Sequence, residues 1–199
     1  KNKEIIFTIH NGRDEYNMWN GSFRGNLVPQ QAYMTSGSYF DENGVSFAET
    51  KDAELNGLIR FQIKKDFYNK VFREGDTRKA GSVKAVYMKE GENLVYKACI
   101  PYKFQGTMLP GGSERAWLDD YPIYADCLLL LAEAKALLGE DIATEINTVR
   151  RRAYGETYFE ANKATVAYPN EKGGEFYSGN PFVAGDDDPI EAVLKERLR

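Results

Sequence analysis

The stretch from Tyr121 to Ala153, YPIYADCLLLLAEAKALLGEDIATEINTVRRRA, constrains the fold more than any other part of the chain. Leu128 to Leu131 run into Ala132, Ala134, Ala136, Leu137 and Leu138 with no Gly or Pro among them. This pattern is helical, and a helix apolar on so many faces is expected to pack on several sides. Gly139 stands where a left-handed C-terminal cap belongs. Asp141 is placed to cap a second helix, with Glu145 near the capping-box position. In that second helix Ile142, Ile146, Val149 and Ala153 fall on one stripe. Arg150, Arg151 and Arg152 load its C-terminal end, where cations suit the helix dipole. Two antiparallel helices joined by a short Gly-containing turn make a helical hairpin, and its first role is scaffold.

The hairpin's length is close to the period of about 34 residues of a tetratricopeptide repeat, and it keeps small Ala residues where such helices approach closely. A chain of 199 residues can bury one sizeable core, as one domain or at most two. Its net charge of -4 lacks the basic stripe of a nucleic-acid binder. No run reaches the roughly 18 apolar residues of a membrane span. The first residues, KNKEIIFTI, have the pattern of a strand rather than of a signal peptide. Cys99 and Cys127 fit no metal-ligand spacing and are expected as buried free thiols, with a disulfide between them as the alternative. Aromatic residues, by contrast, are abundant, and many sit in Gly- and Asn-rich stretches with no period.

Glu4 to His10 reads as an internal strand. From Asn11 to Asn56 no helical period survives, and turn formers are dense. A loop this long in a compact domain is functional or disordered, and its aromatics argue against disorder. Tyr16, Trp19 and Phe23 alternate with Asn17, Asn20 and Arg24, and Tyr33, Tyr39 and Phe40 follow. A sugar ring needs such a set: its C–H face stacks on a flat ring, while amides and guanidinium groups pair with its hydroxyls. Tyr16, Trp19, Asn20, Arg24, Tyr33 and Tyr39 are therefore the candidate ligand contacts. The competing role for these rings is to pin a long loop onto the core.

Lys64 to Arg73 carries a short helical stripe through Phe67, Val71 and Phe72 that stops at Gly75, and Asp76 and Arg78 are expected to fix the turn that follows. Val83 to Tyr87 and Leu94 to Cys99 flank KEGEN and predict a β-hairpin. Tyr102 to Trp117 reads as loop, and Tyr154 to Asp187 as a second long aromatic loop with Tyr158, Phe159, Tyr168, Phe176, Tyr177 and Phe182. Asp188 before Pro189 is an N-cap with proline at the first helical position. Asp186 to Asp188 lack the alternating spacing of a calcium loop. The last helix, from Pro189, places Ile190, Val193, Leu194 and Leu198 on one stripe and reaches Arg199 without a stop signal. With the first strand starting almost at once, this predicts a piece of a longer polypeptide. The fold class is mostly α with loops and short β-strands, α+β by content.

The order of these features resembles the SusD/RagB family of outer-membrane glycan-binding lipoproteins of Bacteroidetes. The family's G-D-x-R turn after a short helix is matched by Gly75, Asp76 and Arg78 in FYNKVFREGDTR. Its signature helix R-Y-A-D-V-L-L-L-Y-A-E-A is matched by Ile123 to Ala134, with Ile123 where the arginine usually stands. Its I-N-x-V-R-x-R-A segment is matched by Ile146, Asn147, Val149, Arg150, Arg152 and Ala153, and its I-x-x-E-R-R-x-E helix by Ile190, Glu196 and Arg197. The resemblance covers nearly the whole chain, 1–199, as one partial SusD/RagB-like domain with the tetratricopeptide-like hairpin at 121–153. It implies further repeats and a lipid-bearing cysteine upstream, and a further segment downstream. It implies glycan capture at the cell surface and delivery to a SusC-like TonB-dependent transporter, with membrane attachment only through an N-terminal lipid anchor that this chain does not contain. It implies no cofactor, no metal and no catalysis, and leaves the glycan unnamed.

Two other classes compete. A glycoside hydrolase needs two carboxylates roughly 5 to 9 Å apart across the scissile bond. Asp119 and Asp120 beside Trp117, or Asp14 and Glu15 beside Tyr16, are the available pairs, but adjacent residues rarely flank a bond. A nucleophile–histidine–acid arrangement would have to use His10, the only histidine. A protein-interaction scaffold would carry its contacts on the repeat face instead of the aromatic loops.

Overall fold

The computed structural model describes residues 37–50, 63–102, 124–172 and 185–199, and the backbone of 107–108 and 115–116. The chain divides into two compact units. The predicted strand Glu4–His10 and most of the loop Asn11–Asn56 lie outside the described residues.

The described part of one unit is built on a β-hairpin. Helix α1 (Lys65–Lys70) and helix α2 (Arg78–Ser82) precede it. Strand β1 (Val83–Glu90) pairs antiparallel with β2 (Asn93–Pro101), from Val83 opposite Pro101 to Glu90 opposite Asn93. The strands are longer than predicted, because charged and amide residues close to the turn still form the ladder. Gly91, with φ of 64°, makes the two-residue turn. Val86 faces Ala98 but Tyr87 faces Tyr96, so Lys97 is an extra residue and the ladder bulges there. Burial falls toward the turn. At the other end Val83, Ala85, Val86, Ala98, Cys99 and Ile100 are buried, and Phe47 and Tyr102 close the cluster. A second, minimal pair, β3 (Thr107–Met108) with β4 (Arg115–Ala116), lies within the stretch read as loop.

The other unit is helical. Helix α3 (Tyr124–Leu137) ends in a Schellman motif: Gly139, at φ of 73°, donates its N–H to Ala136, and the Glu140 N–H reaches back to Lys135. Helix α4 (Ala143–Tyr154) returns. The Asp141 carboxylate accepts from the Ala143 N–H at 3.0 Å, but it does so from one residue ahead of the N-cap, Ile142, which makes no side-chain capping bond. Glu145 does not complete a capping box; it is buried and takes the Lys135 ammonium at 2.7 Å. The predicted stripe on α4 is buried in full. Ile142, Ile146 and Val149 pack with Leu129, Ala132 and Val193. Burying each isoleucine contributes about 1.5–3 kcal/mol.

Three expectations for this unit are corrected. First, α3 does not pack on several sides: Leu129 and Ala132 are buried, while Leu130, Leu131, Leu137 and Leu138 are exposed. Second, the stretch after Tyr154 is not one loop. Gly155, at φ of 75°, breaks α4, and helices α5 (Glu156–Ala161) and α6 (Lys163–Val166) follow, with Phe159 and Val166 buried beside Ala153 and Tyr154. One apolar anchor per short helix is too few to set a period. Third, the last helix, α7 (Pro189–Leu198), starts as predicted, with the Asp188 carboxylate accepting from Glu191 N–H at 3.0 Å and Pro189 in the first turn. Its inner face is Ala192, Val193, Lys195 and Glu196, whereas Leu194 is exposed. The charged pair takes the inner positions because its partners are already there.

Candidate functional site

Of the six predicted ligand contacts, Tyr39 is described; Tyr16, Trp19, Asn20, Arg24 and Tyr33 lie outside the described residues. Tyr39 is half-buried and packs against the cluster of Phe47, Val86, Ala98, Ile100 and Tyr102. Its carbonyl accepts from the Phe47 N–H at 3.0 Å. The next residue, Phe40, exchanges two backbone hydrogen bonds with Tyr87, both 2.9 Å, so Tyr39 is held at the edge of the hairpin. The Asp41 carboxylate accepts from the N–H groups of Asn43 and Val45 and closes the turn that follows. Tyr39 therefore sits on rigid backbone, which a stacking residue requires.

Lysines lie over the neighbouring rings. Lys89 stands 4.4 Å from the Phe40 centroid, Lys65 4.7 Å from Tyr96 and Lys79 4.1 Å from Tyr68. Lys84 lies over both Phe47 and Tyr102. Each such contact is worth about 0.5–2 kcal/mol and occupies one face of its ring. Tyr87 meets Tyr96 edge to face at 5.7 Å. The Tyr68 hydroxyl donates to Glu42 at 2.7 Å. Burial pushes the Tyr96 hydroxyl and the Cys99 thiol up to about 12, so both stay protonated at neutral pH. Cys99 and Cys127 are free thiols, the first buried and the second half-buried. Phe47, Tyr68 and Tyr102 are buried, so of these rings only the half-buried Tyr39, Phe40, Tyr87 and Tyr96 have surface to offer a ligand.

The helical unit holds a buried charge network instead. Arg150, on α4, is 0% exposed. Its two terminal nitrogens donate to the two Asp186 oxygens at 2.7 Å each, and its Nε donates to Glu196 at 2.8 Å. Lys195 also reaches Asp186 at 2.7 Å. Arg199 grips Glu171 with two nitrogens, at 2.6 and 3.0 Å, and touches Glu196 at 3.1 Å. Glu196 takes Arg78 at 2.9 Å, and Arg78 doubles back onto Asp76. Burial raises the carboxyl groups of Glu171, Asp186 and Glu196, yet the cations outweigh it and hold all three below the usual carboxylate range. Burial pushes the Lys195 ammonium down. Every carboxylate here already binds guanidinium or ammonium groups, so the network offers no free acid or base for a reaction.

Sequence reasoning found the turn of Asp76 and Arg78 but read Arg150 as a dipole cation and Asp186 as a neighbour of a cap. Glu171 gave no signal, because its partners are distant in sequence: Arg199 lies 28 residues on, and Arg73 lies much further back. Arg197, the other motif residue in α7, stays on the surface with Asp126 and Glu133. An open groove of about 570 Å³ lies beside the network, walled by Arg73, Tyr158, Asn162, Asn170 and Lys172. Arg73 donates to the carbonyls of Thr165 and Lys172, Asn162 to that of Tyr158, and Asn170 to that of Lys163, while Lys172 is exposed.

The hydrolase candidates Asp14, Glu15, Asp119, Asp120 and His10 lie outside the described residues. Among the described residues no cluster of His, Cys, Asp and Glu could hold a metal ion. Asp186 is consumed by Arg150 and Lys195, and Asp188 by its cap.

The sequence model of the SusD family matches residues 3–199, and the chain belongs to that family. Among solved structures it is similar to B. fragilis NanU, with 61% identity and a TM-score of 0.90 over 99% of this chain and 40% of that one. A SusD superfamily protein from Bacteroides vulgatus ATCC 8482 is 56% identical, with a TM-score of 0.91 over 100% of this chain and 42% of that one. Another from Bacteroides fragilis NCTC 9343 is 25% identical, with a TM-score of 0.71 over 99% of this chain and 37% of that one. The chain thus spans about two fifths of the length of these relatives. No curated protein matches it.

Proposed function

We propose that this chain is part of a cell-surface glycan-binding protein that captures oligosaccharide or polysaccharide and delivers it to a SusC-like TonB-dependent transporter. The observation that carries the reading is the family match over residues 3–199. The protein binds without catalysis, needs no cofactor and sits on the outer membrane through a lipid anchor. No described helix is long and apolar enough to cross a membrane. The ligand is met by Tyr16, Trp19, Asn20, Arg24, Tyr33 and Tyr39. Tyr39 supports this as a half-buried ring whose backbone is hydrogen-bonded at a sheet edge and whose side chain packs on the hairpin cluster. The helical hairpin at 121–153 is scaffold of the tetratricopeptide type.

Native affinity gels loaded with a panel of polysaccharides test the reading, with a reducing-end assay on the same mixtures. Retardation by one polysaccharide without release of reducing ends is expected. Release of reducing ends would replace binding by hydrolysis. Absence of retardation on every polysaccharide would move the ligand class to peptides or glycoproteins.

A further inference from the structure

Strands β1 and β2 change register at a bulge. Val86 faces Ala98, and an unbroken ladder would set Tyr87 opposite Lys97; the extra residue sets it opposite Tyr96 instead. On the other side of β1, Phe40 pairs with Tyr87 through two backbone hydrogen bonds of 2.9 Å. Residues directly opposite one another share a face. Phe40, Tyr87 and Tyr96 therefore stand side by side as one row of rings. Neighbouring strands lie about 4.8 Å apart, so the row is about 10 Å long. Tyr39, one residue before Phe40, falls on the opposite face and packs with Phe47, Val86 and Ile100. Further from the turn, on the row's own face, Ala85 and Cys99 are 3% and 0% exposed, whereas all three rings keep some surface. Among the described residues none hydrogen-bonds the hydroxyls of Tyr87 and Tyr96, while that of Tyr68 is spent on Glu42. Cross-strand aromatic pairs also steady a sheet, but steadying it does not require a bulge that interrupts the ladder.

We propose that Phe40, Tyr87 and Tyr96 form a saccharide-binding row, additional to the six predicted contacts, that takes a segment of linked sugar rings laid across the strands. The C–H faces of the sugar meet the aromatic rings, and the two phenol hydroxyls donate to and accept from its hydroxyl groups. Lys65 and Lys89 are exposed and lie over Tyr96 and Phe40. Such contacts are weak at exposed sites, so these ammonium groups give way to the sugar and donate to its oxygens. The Tyr87 and Tyr96 rings brace each other edge to face at 5.7 Å, so neither has to be ordered by the ligand. The choice of a saccharide rests on the glycan reading above; the placement of the row rests on the bulge and the pairing of Phe40.

Native gels of the intact protein in the polysaccharide that retards it test the row. Tyr96→Ala is expected to weaken the apparent affinity about tenfold. Val95→Ala, one residue along on the opposite face and 38% exposed in the wild type, should leave it unchanged. Tyr87→Phe combined with Tyr96→Phe keeps both rings and their packing, and should weaken binding about threefold through the lost hydroxyls. That double variant reads the row even where Tyr96→Ala loses its fold. Unaltered retardation in both the Tyr96→Ala and the double variant would overturn the row, and with retardation still lost in Trp19→Ala the glycan reading would stand. Equal losses in Tyr96→Ala and Val95→Ala would also overturn it, since hairpin stability and not contact would then be at work. No retardation of the unaltered protein on any polysaccharide would overturn the row and the glycan reading together.

Discussion

Around the β1–β2 hairpin the buried cluster is Phe47, Val86, Ala98, Ile100 and Tyr102, and none of these residues carries a charge. In the helical unit Arg150, Glu171, Asp186, Lys195, Glu196 and Arg199 share the interior with Ile146, Val193 and Phe159. The two interiors obey different rules. An apolar core accepts a swap of similar volume at modest cost. A buried ionic core adds little net stability as a whole, yet losing one partner strands the others without water. The charged interior is therefore the less forgiving, and it ties together five separate stretches: 73–78, Arg150, Glu171, Asp186 and 195–199.

The largest expected effect follows from that contrast. Arg150→Met leaves Asp186 and Glu196 short of their main cation and should destabilise the protein by about 3–5 kcal/mol. Ile100→Val, equally buried in the hairpin cluster, should cost only about 0.5–1.5 kcal/mol. Urea midpoints at neutral pH give both values, and equal losses would erase the distinction.

Gly75→Ala comes next. Gly75 has φ of 81°, and a Cβ there would lie 2.3 Å from the Tyr158 ring. Positive φ and overpacking together should cost about 2–4 kcal/mol. Adding Tyr158→Ala removes the collision but leaves the strained φ, so the double variant should recover part of what the two single changes lose together. Strict additivity in the denaturation cycle would mean that the ring does not meet residue 75.

Acid sharpens the contrast more gradually. Glu171, Asp186 and Glu196 have depressed pKa values in the fold, so the unfolded chain takes up protons first as pH falls. Their contribution is complete above the ordinary carboxylate range of about 4 and is lost below it, until the depressed values are reached. Each carboxylate steepens the loss by up to about 1.4 kcal/mol per pH unit. Denaturation midpoints between neutral pH and pH 3 should fall steeply in the unaltered protein and less steeply in Arg150→Met. Tyr68→Phe, which removes the 2.7 Å bond to Glu42, should cost about as little as Ile100→Val, about 0.5–1.5 kcal/mol.

The same contrast explains what could be read in advance. The α3–α4 hairpin was legible because Gly139, Asp141 and the Ile142–Ala153 stripe are local signals, set by helix geometry over a few residues. Asp76 with Arg78 was legible for the same reason. The network that absorbs Arg78, Arg150 and Glu196 was not, since nothing local distinguishes a buried arginine from the two beside it. Arg151 lies at the surface one position along. The exposed side of α3 was misread because leucine marks burial without saying what covers it. Of the candidate glycan contacts, Tyr39 alone is described, and its edge position rests on the long-range pairing of its neighbour Phe40 with Tyr87, which no spacing reveals. Stacking asks only for a flat ring, so the aromatic loop carries no motif to match its chemistry.

The aromatic segment following the first predicted strand is proposed to meet the glycan, with the helical unit as its scaffold. Trp19→Ala in the intact protein, run on native polysaccharide gels beside its thermal unfolding curve, tests this most directly. Retardation by the bound polysaccharide is expected to be abolished while Tm stays within a few degrees of the unaltered protein, about the shift that 1 kcal/mol produces. Unchanged retardation with an unchanged Tm would contradict it and move the binding surface away from this segment.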